Sequence, residues 1–298
     1  MTKMFKGSIV ALPTPFRDGR VDEAAFRRMI EWQLGQGTDG LLILGTTGEA
    51  PNLSDAEHER LIHLCMEVVD GKVPVMAGAG TNSTEKTIHY ARQAKMAGAD
   101  AVLAVSPYYN KPTQEGLFQH YKALNDAVDI PVFVYNIPSR CVVDISVETL
   151  VRLARLPHIV GIKDSNPDLK RPVQLRMHLG DDFCLLSGDE PSGLPFMAAG
   201  GDGVTTAVGN VIPKVFADMH RAWERGDFKA AFALHKKAMP LHLALYCETN
   251  PVPTKYALSL MGLCQPDVRL PLVELAEASK AKVRDAMRAC GLEIAKAA

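Results

Sequence analysis

The sequence predicts an α/β protein, a (β/α)8 barrel, on three observations. Eight short apolar runs can be picked out, their starts recur at the spacing of one βα unit, and the segments between them have helical periodicity. The runs are Ser8–Leu12, Gly40–Leu44, Val73–Ala77, Ala101–Val105, Val132–Tyr135, Ile159–Lys163, Phe183–Ser187 and Val204–Ala207. Their starts lie roughly 20 to 33 residues apart, enough for a strand, a helix and two short loops. Runs apolar on both faces belong to a parallel sheet buried between layers, not to a sheet with one face in water. Phe26, Met29, Ile30 and Leu34 give the first intervening segment an apolar stripe, and Leu61, Leu64, Cys65 and Val68 do the same for the second. Ser54-Asp55-Ala56-Glu57 has the form of a capping box, and Asn166-Pro167 pairs an N-cap residue type with a proline suited to a first helical turn. An open doubly wound sheet would carry a glycine-rich turn after its first strand; here that turn reads Pro13-Thr14-Pro15-Phe16.

The barrel is expected to occupy residues 1–226. Beyond it Ala230–Tyr246, Pro253–Met261 and Leu272–Ala289 read as helices, so 227–298 is expected to form a helical appendage on the barrel flank. With 47% hydrophobic and 22% charged residues, the chain has the composition of an ordinary globular core. A net charge of −1, with no long run of one sign, gives no basis for a nucleic-acid or membrane-surface partner. No apolar run approaches the roughly 20 residues of a membrane span, and the first strand follows the start too closely for a signal peptide, so a cytoplasmic location is expected. The six cysteines lack metal-ligand spacing and mostly sit in apolar surroundings, as reduced core residues do. His58-Glu59 resembles the start of a zinc-protease helix, but His63 follows at five positions, off the shared face, and no metal is expected.

In a barrel of this kind the chemistry sits at the C-terminal ends of the strands. Those ends carry Thr46 and Thr47, Tyr108 and Tyr109, Tyr135, Lys163, and Gly188 with Asp189, with Arg140 close behind the fifth. Lys163 stands out, since lysine rarely ends so apolar a strand. Desolvation penalises an ammonium, and the free amine that results can add to a ketone and form a Schiff base. The plain alternative is a lysine just past the strand end, pointing into water. Gly45-Thr46-Thr47-Gly48-Glu49 sets two hydroxyls between glycines, a loop able to bind a carboxylate.

The chain resembles the dihydrodipicolinate synthase / N-acetylneuraminate lyase family of pyruvate-dependent class I aldolases. The resemblance rests on Gly45-Thr46-Thr47-Gly48-Glu49, Ser106-Pro107-Tyr108-Tyr109-Asn110, Tyr135-Asn136-Ile137-Pro138, Gly161-Ile162-Lys163-Asp164 and Asn250-Pro251-Val252-Pro253, and runs over nearly the whole chain. It implies that Lys163 forms the Schiff base with pyruvate and that Tyr135 carries protons, with Thr46 as its relay partner. Tyr109 is implied to complete the relay in a neighbouring subunit's site. Thr47 would hold the pyruvate carboxylate, and Gly188 and Thr205 would line the pocket. Ser139-Arg140 points to the synthase branch, in which Arg140 reads the carboxylate of L-aspartate semialdehyde. The implied assembly is a homotetramer built as a dimer of dimers, needing no cofactor.

Three departures bear on the aldehyde partner. Cys141-Val142 stands where Thr-Gly is usual, Asp164-Ser165 where Glu-Ala is common, and Thr205 where the pocket is usually aliphatic. The rival readings are an aldolase or dehydratase acting on a 2-keto-3-deoxy sugar acid or a hydroxy-oxoglutarate, and a non-catalytic keto-acid-binding barrel. In lysine-regulated relatives an effector pocket corresponds to Ala50, Asp55, His58, Asn82, Lys86 and Tyr108. Lys86 replaces the acidic residue that binds the effector's α-ammonium, so insensitivity to lysine is expected.

Overall fold

The computed structural model describes residues 5–294. Eight parallel strands close into a barrel: β1 (Gly7–Ala11), β2 (Gly40–Ile43), β3 (Val75–Gly78), β4 (Ala101–Val105), β5 (Val132–Asn136), β6 (Ile159–Asp164), β7 (Cys184–Ser187) and β8 (Gly203–Thr206). Each pairs with its neighbours in sequence, and β8 returns to β1 with Gly7 opposite Gly203. All eight apolar runs therefore become barrel strands. A two-residue hairpin, Phe16–Arg17 with Arg20–Val21, stands apart from the barrel.

Alternation along each strand divides the side chains between two cores. Ile9, Leu42, Met76, Leu103, Phe133 and Leu186 pack inside the barrel, where Phe5 meets Phe133 edge to face at 5.3 Å. Val10, Leu41, Ile43, Val75, Val102, Val134, Ile162 and Leu185 face outward into the layer formed with the helices. Gly161 leaves room for Phe133, whose ring lies 2.5 Å from where a Cβ would stand.

The outer ring is α1 (Glu23–Gly35), α2 (Asp55–Val69), α3 (Thr84–Met96), α4 (Gln114–Ala127), α5 (Val147–Leu153), α6 (Lys170–Leu179), α7 (Gly193–Ala198) and α8 (Pro213–Glu224). Ser54 and Glu57 form the expected capping box on α2. At α6 the expectation fails: the helix starts at Lys170, not at Asn166-Pro167. Asn166 Oδ1 accepts from the Asp168 amide and Asp168 Oδ1 from the Lys170 amide, so two successive side-chain turns occupy that stretch.

Three helices follow, α9 (Phe228–Leu245), α10 (Val252–Leu260) and α11 (Glu277–Ala289). They build a core of their own, with Leu241, Leu245, Ala257, Val283 and Met287 packed against Phe216 and Met219 of α8. The last begins at Glu277, five residues after the sequence expectation of Leu272. The Ala276 amide is taken by Glu248 Oε1 at 3.2 Å, and Leu275 is buried from an extended segment.

Among the described residues no helix is long and apolar enough to cross a membrane. Burial holds the imidazoles of His58, His120 and His220 at pKa values of about 4, below the ordinary 6.5. The unfolded chain therefore takes up protons below pH ~6.5 that these rings refuse, and stability is lost as pH falls from ~6.5 to ~4. The loss is up to about 3 kcal/mol per ring. Denaturant midpoints measured at pH 7.5 and pH 5 are expected to fall accordingly; equal midpoints would show that the rings titrate normally.

Candidate active site

Tyr135 and Lys163 are Cα partners across β5 and β6, so the barrel register sets them side by side. By alternation Lys163 shares the inward face with Gly161, one layer above Phe133. Its side chain is 7% exposed, and its Nζ lies 4.2 Å from the centroid of the Tyr135 ring. Neither Lys163 Nζ nor the Tyr135 hydroxyl has a hydrogen-bond partner among the described residues. Lys163 is thus not a lysine pointing into water. Gly188, just past β7, completes the wall: a Cβ there would fall 2.8 Å from Lys163 Cε. Any larger residue at 188 would occupy the space over the lysine stem.

A buried polar network fixes the ends of β5 and β6. Asn136 Nδ2 donates to Asp164 Oδ1 at 3.0 Å, and Arg171 Nε donates to Asp164 Oδ2 at 3.0 Å. Burial pushes the Asp164 carboxyl pKa upward, while the Arg171 guanidinium pulls it back. Arg171 also holds the Ile145 carbonyl, tying in the segment after the one-turn helix Pro138–Cys141. Tyr135 and Lys163 therefore stand on backbone that cannot drift, as a reacting pair requires.

The remaining sequence candidates divide into two groups. Thr47, Arg140, Gly188 and Thr205 join the same mouth. Asn250 Nδ2 donates to Thr47 Oγ1 at 3.0 Å, while Arg140 Nη2 reaches the Asn250 carbonyl at 3.5 Å. Asn250 itself is held by Thr254, which donates to its Oδ1. Thr205 is buried on β8 and faces inward, because its neighbour Val204 packs outward over Gly193 of α7. Thr46 is half-buried in the turn after β2, with no side-chain hydrogen bond to Tyr135 among the described residues. Tyr109 is not brought to this chain's Lys163: it is 88% exposed, with a backbone φ of 71°.

Three site residues escaped the sequence reading. Asn250 lay within a recognised motif but had no assigned partner. Glu49 closes the two-threonine loop and is fully engaged: its Oε1 accepts from Lys255 Nζ at 2.5 Å and its Oε2 from the Arg269 amide at 3.1 Å. Lys255 is 0% exposed and also meets the Asp267 carbonyl and the face of Phe16. No local sequence pattern reports a pair 206 residues apart.

A profile of the dihydrodipicolinate synthetase family matches residues 4–290. The chain belongs to that family. It is 54% identical over 289 residues to a 4-hydroxy-tetrahydrodipicolinate synthase from Rhodospirillum centenum, covering 97% of this chain and 99% of the relative. Among solved structures, a dihydrodipicolinate synthase from Aquifex aeolicus superposes with a TM-score of 0.96 at 42% identity, covering 98% of this chain and all (100%) of that one. The Thermotoga maritima dihydrodipicolinate synthase gives 0.95 at 42% identity, covering 97% and 99%. Family membership accords with the fold, an eight-stranded barrel with a C-terminal helical part.

Proposed function

We propose that this protein is a lyase, a 4-hydroxy-tetrahydrodipicolinate synthase, which condenses pyruvate with L-aspartate semialdehyde through a Schiff base on Lys163, in lysine and diaminopimelate synthesis. The observation that carries this reading is the unpaired, buried amine of Lys163 beside Tyr135, in a chain that matches synthases of that name along nearly its whole length. Imine formation makes the pyruvate carbon skeleton an electron sink. Loss of a methyl proton then gives the enamine that attacks the aldehyde, without a cofactor. Tyr135 moves the protons, with Thr46 and a Tyr109 donated by a second subunit of a homotetramer as relay partners. Thr47 holds the pyruvate carboxylate, Arg140 grips that of the aldehyde, and Gly188 and Thr205 bound the pocket. The proposed division is a catalytic barrel within residues 1–226 and a helical appendage within 227–298, of which residues 5–294 are described. Turnover of pyruvate with aspartate semialdehyde, compared with 2-keto-3-deoxy sugar acids and hydroxy-oxoglutarate, tests the assignment. Preference for a sugar acid would transfer it to the rival aldolase.

Arg140→Ala is expected to lower kcat/KM for aspartate semialdehyde by a factor on the order of 10 to 1,000, the loss of one charge-assisted contact or slightly more. Trapping of pyruvate by borohydride should persist. Loss of trapping with an unchanged aldehyde KM would place Arg140 on the wrong substrate.

Feedback inhibition by L-lysine is expected to be absent. Lys86, exposed at the start of α3, puts a cation where an effector ammonium would need an anion. Asp55 does not compensate for it, since its carboxylate accepts from the Tyr90 hydroxyl at 2.9 Å and faces His89 at 3.3 Å. His58, buried and stacked on Tyr90 at 4.3 Å, stays neutral. An inhibition curve run to ~10 mM lysine should stay flat, because ~3 kcal/mol of lost affinity moves a submillimolar site beyond that range. Half-inhibition below ~1 mM would refute this reading.

A further inference from the structure

Ser165 stands two residues beyond Lys163, on the same side of the chain by strand parity, and points toward the same mouth. Its backbone is fixed: the amide donates to the Asn136 carbonyl at 2.8 Å, and its neighbours Asp164 and Asn166 belong to the buried network with Arg171. Its hydroxyl is not satisfied. Ser165 Oγ is buried and has no hydrogen-bond partner among the described residues. Most buried hydroxyls find one, so an orphan beside a reactive group calls for an explanation. Buried atoms without a partner also occur at Ser8, Trp32, Gln93 and Asn210 and on the rings of His58, His120 and His220. Ser165 Oγ is different, because it converges on the stem of Lys163. A Cβ placed on Gly188 would meet Ser165 Oγ at 2.2 Å and Lys163 Cε at 2.8 Å, so the three groups border one small space.

We propose that Ser165 is a further catalytic residue, whose hydroxyl donates to the oxygen that pyruvate loses on forming its imine with Lys163. The proposal rests on the Schiff-base reading of Lys163 and deepens it. In the first step the Nζ lone pair forms a bond to the carbonyl carbon. The π pair of the carbonyl moves to oxygen, which takes up one of the amine's protons and gives the carbinolamine. In the second step the nitrogen lone pair closes the C=N bond as the C–O bond breaks, and the oxygen leaves as water with the second amine proton. Negative charge builds on this oxygen in both steps. A fixed donor aimed there lowers both barriers, because it needs no reorganisation when the charge appears. A hydroxyl held without a partner in the folded state is such a donor.

Ser165→Ala separates this role from a structural one. With rapid mixing and borohydride quenching, the rate constant for pyruvate imine formation is expected to fall by about 100- to 1,000-fold, roughly what loss of one such donor costs. Thermal stability should stay equal or rise, because the substitution removes an unsatisfied polar group. Ser165→Thr, which keeps the hydroxyl, should hold the rate within a few-fold of the parent. An unchanged imine rate in Ser165→Ala overturns the proposal. So does a fall in thermal stability accompanying the slower rate, since that would make the hydroxyl a structural element. If the unsubstituted protein traps no pyruvate, it is the Schiff-base reading itself that fails.

Discussion

Replacing Lys163 with alanine should abolish turnover, lowering kcat/KM by on the order of 10³-fold or more, as removal of a covalent nucleophile does. It should also end the borohydride-dependent mass addition with pyruvate. The chain offers an internal control, because two lysines are buried among the described residues. Lys255 is the more buried, and desolvation lowers its pKa against the opposing pull of Glu49. By pKa alone it would pass for an activated amine. Its Nζ, however, is taken by Glu49, by the Asp267 carbonyl and by the Phe16 ring, which leaves no approach for a carbonyl carbon. Lys163 Nζ meets the face of Tyr135 and has no hydrogen-bond partner among the described residues. Peptide mapping after reduction should find the label on Lys163 alone. The variant should fold, since no carboxylate loses a partner. A label on Lys255, or one that survives in Lys163→Ala, would show that another amine carries the reaction.

The second large effect belongs to Lys255. Lys255→Met leaves the Glu49 carboxylate buried without its cation, and removing one partner of such a pair costs about 3–5 kcal/mol. For a chain of this length that is a fall of roughly 10 °C in Tm. The double replacement, Lys255→Met with Glu49→Gln, should recover a good part of the loss, because the uncompensated charge is gone. Activity should suffer beyond stability in the single variant, since Glu49 closes the loop that carries Thr46 and Thr47. A raised pyruvate KM at a temperature where the variant is fully folded is the expected signature. Single and double variants of equal stability would mean that the pair contributes no net coupling.

The parts legible in the sequence were those written locally. Strands buried on both faces are predominantly apolar, so all eight runs are visible without a partner. Lys163 was visible as the exception to that rule, and Tyr135 because it ends the neighbouring run. The capping box at Ser54 was legible because both its members lie within one turn. What escaped depends on residues distant in the chain. Asn250 reaches Thr47 across 203 positions, and Lys255 reaches Glu49 across 206. The Asn166-Pro167 signal misled because the residues that favour helix starts also make tight turns of their own. Ser165 stands in the sequence as a departure from the common alanine, but that its hydroxyl has no partner is a property of three-dimensional packing.

The dependence of the mouth on Asn250, Lys255 and Arg269 also sets the order in which competence arrives during synthesis. Every barrel strand and Lys163 leave the ribosome first, while the groups that brace the two-threonine loop come from the last quarter of the chain. Until those residues emerge, Glu49 has no cation and Thr47 no anchor. On the Schiff-base reading, the nascent barrel would hold its amine before the loop that grips the keto acid is braced, and a chain truncated after residue 226 is expected to be inactive.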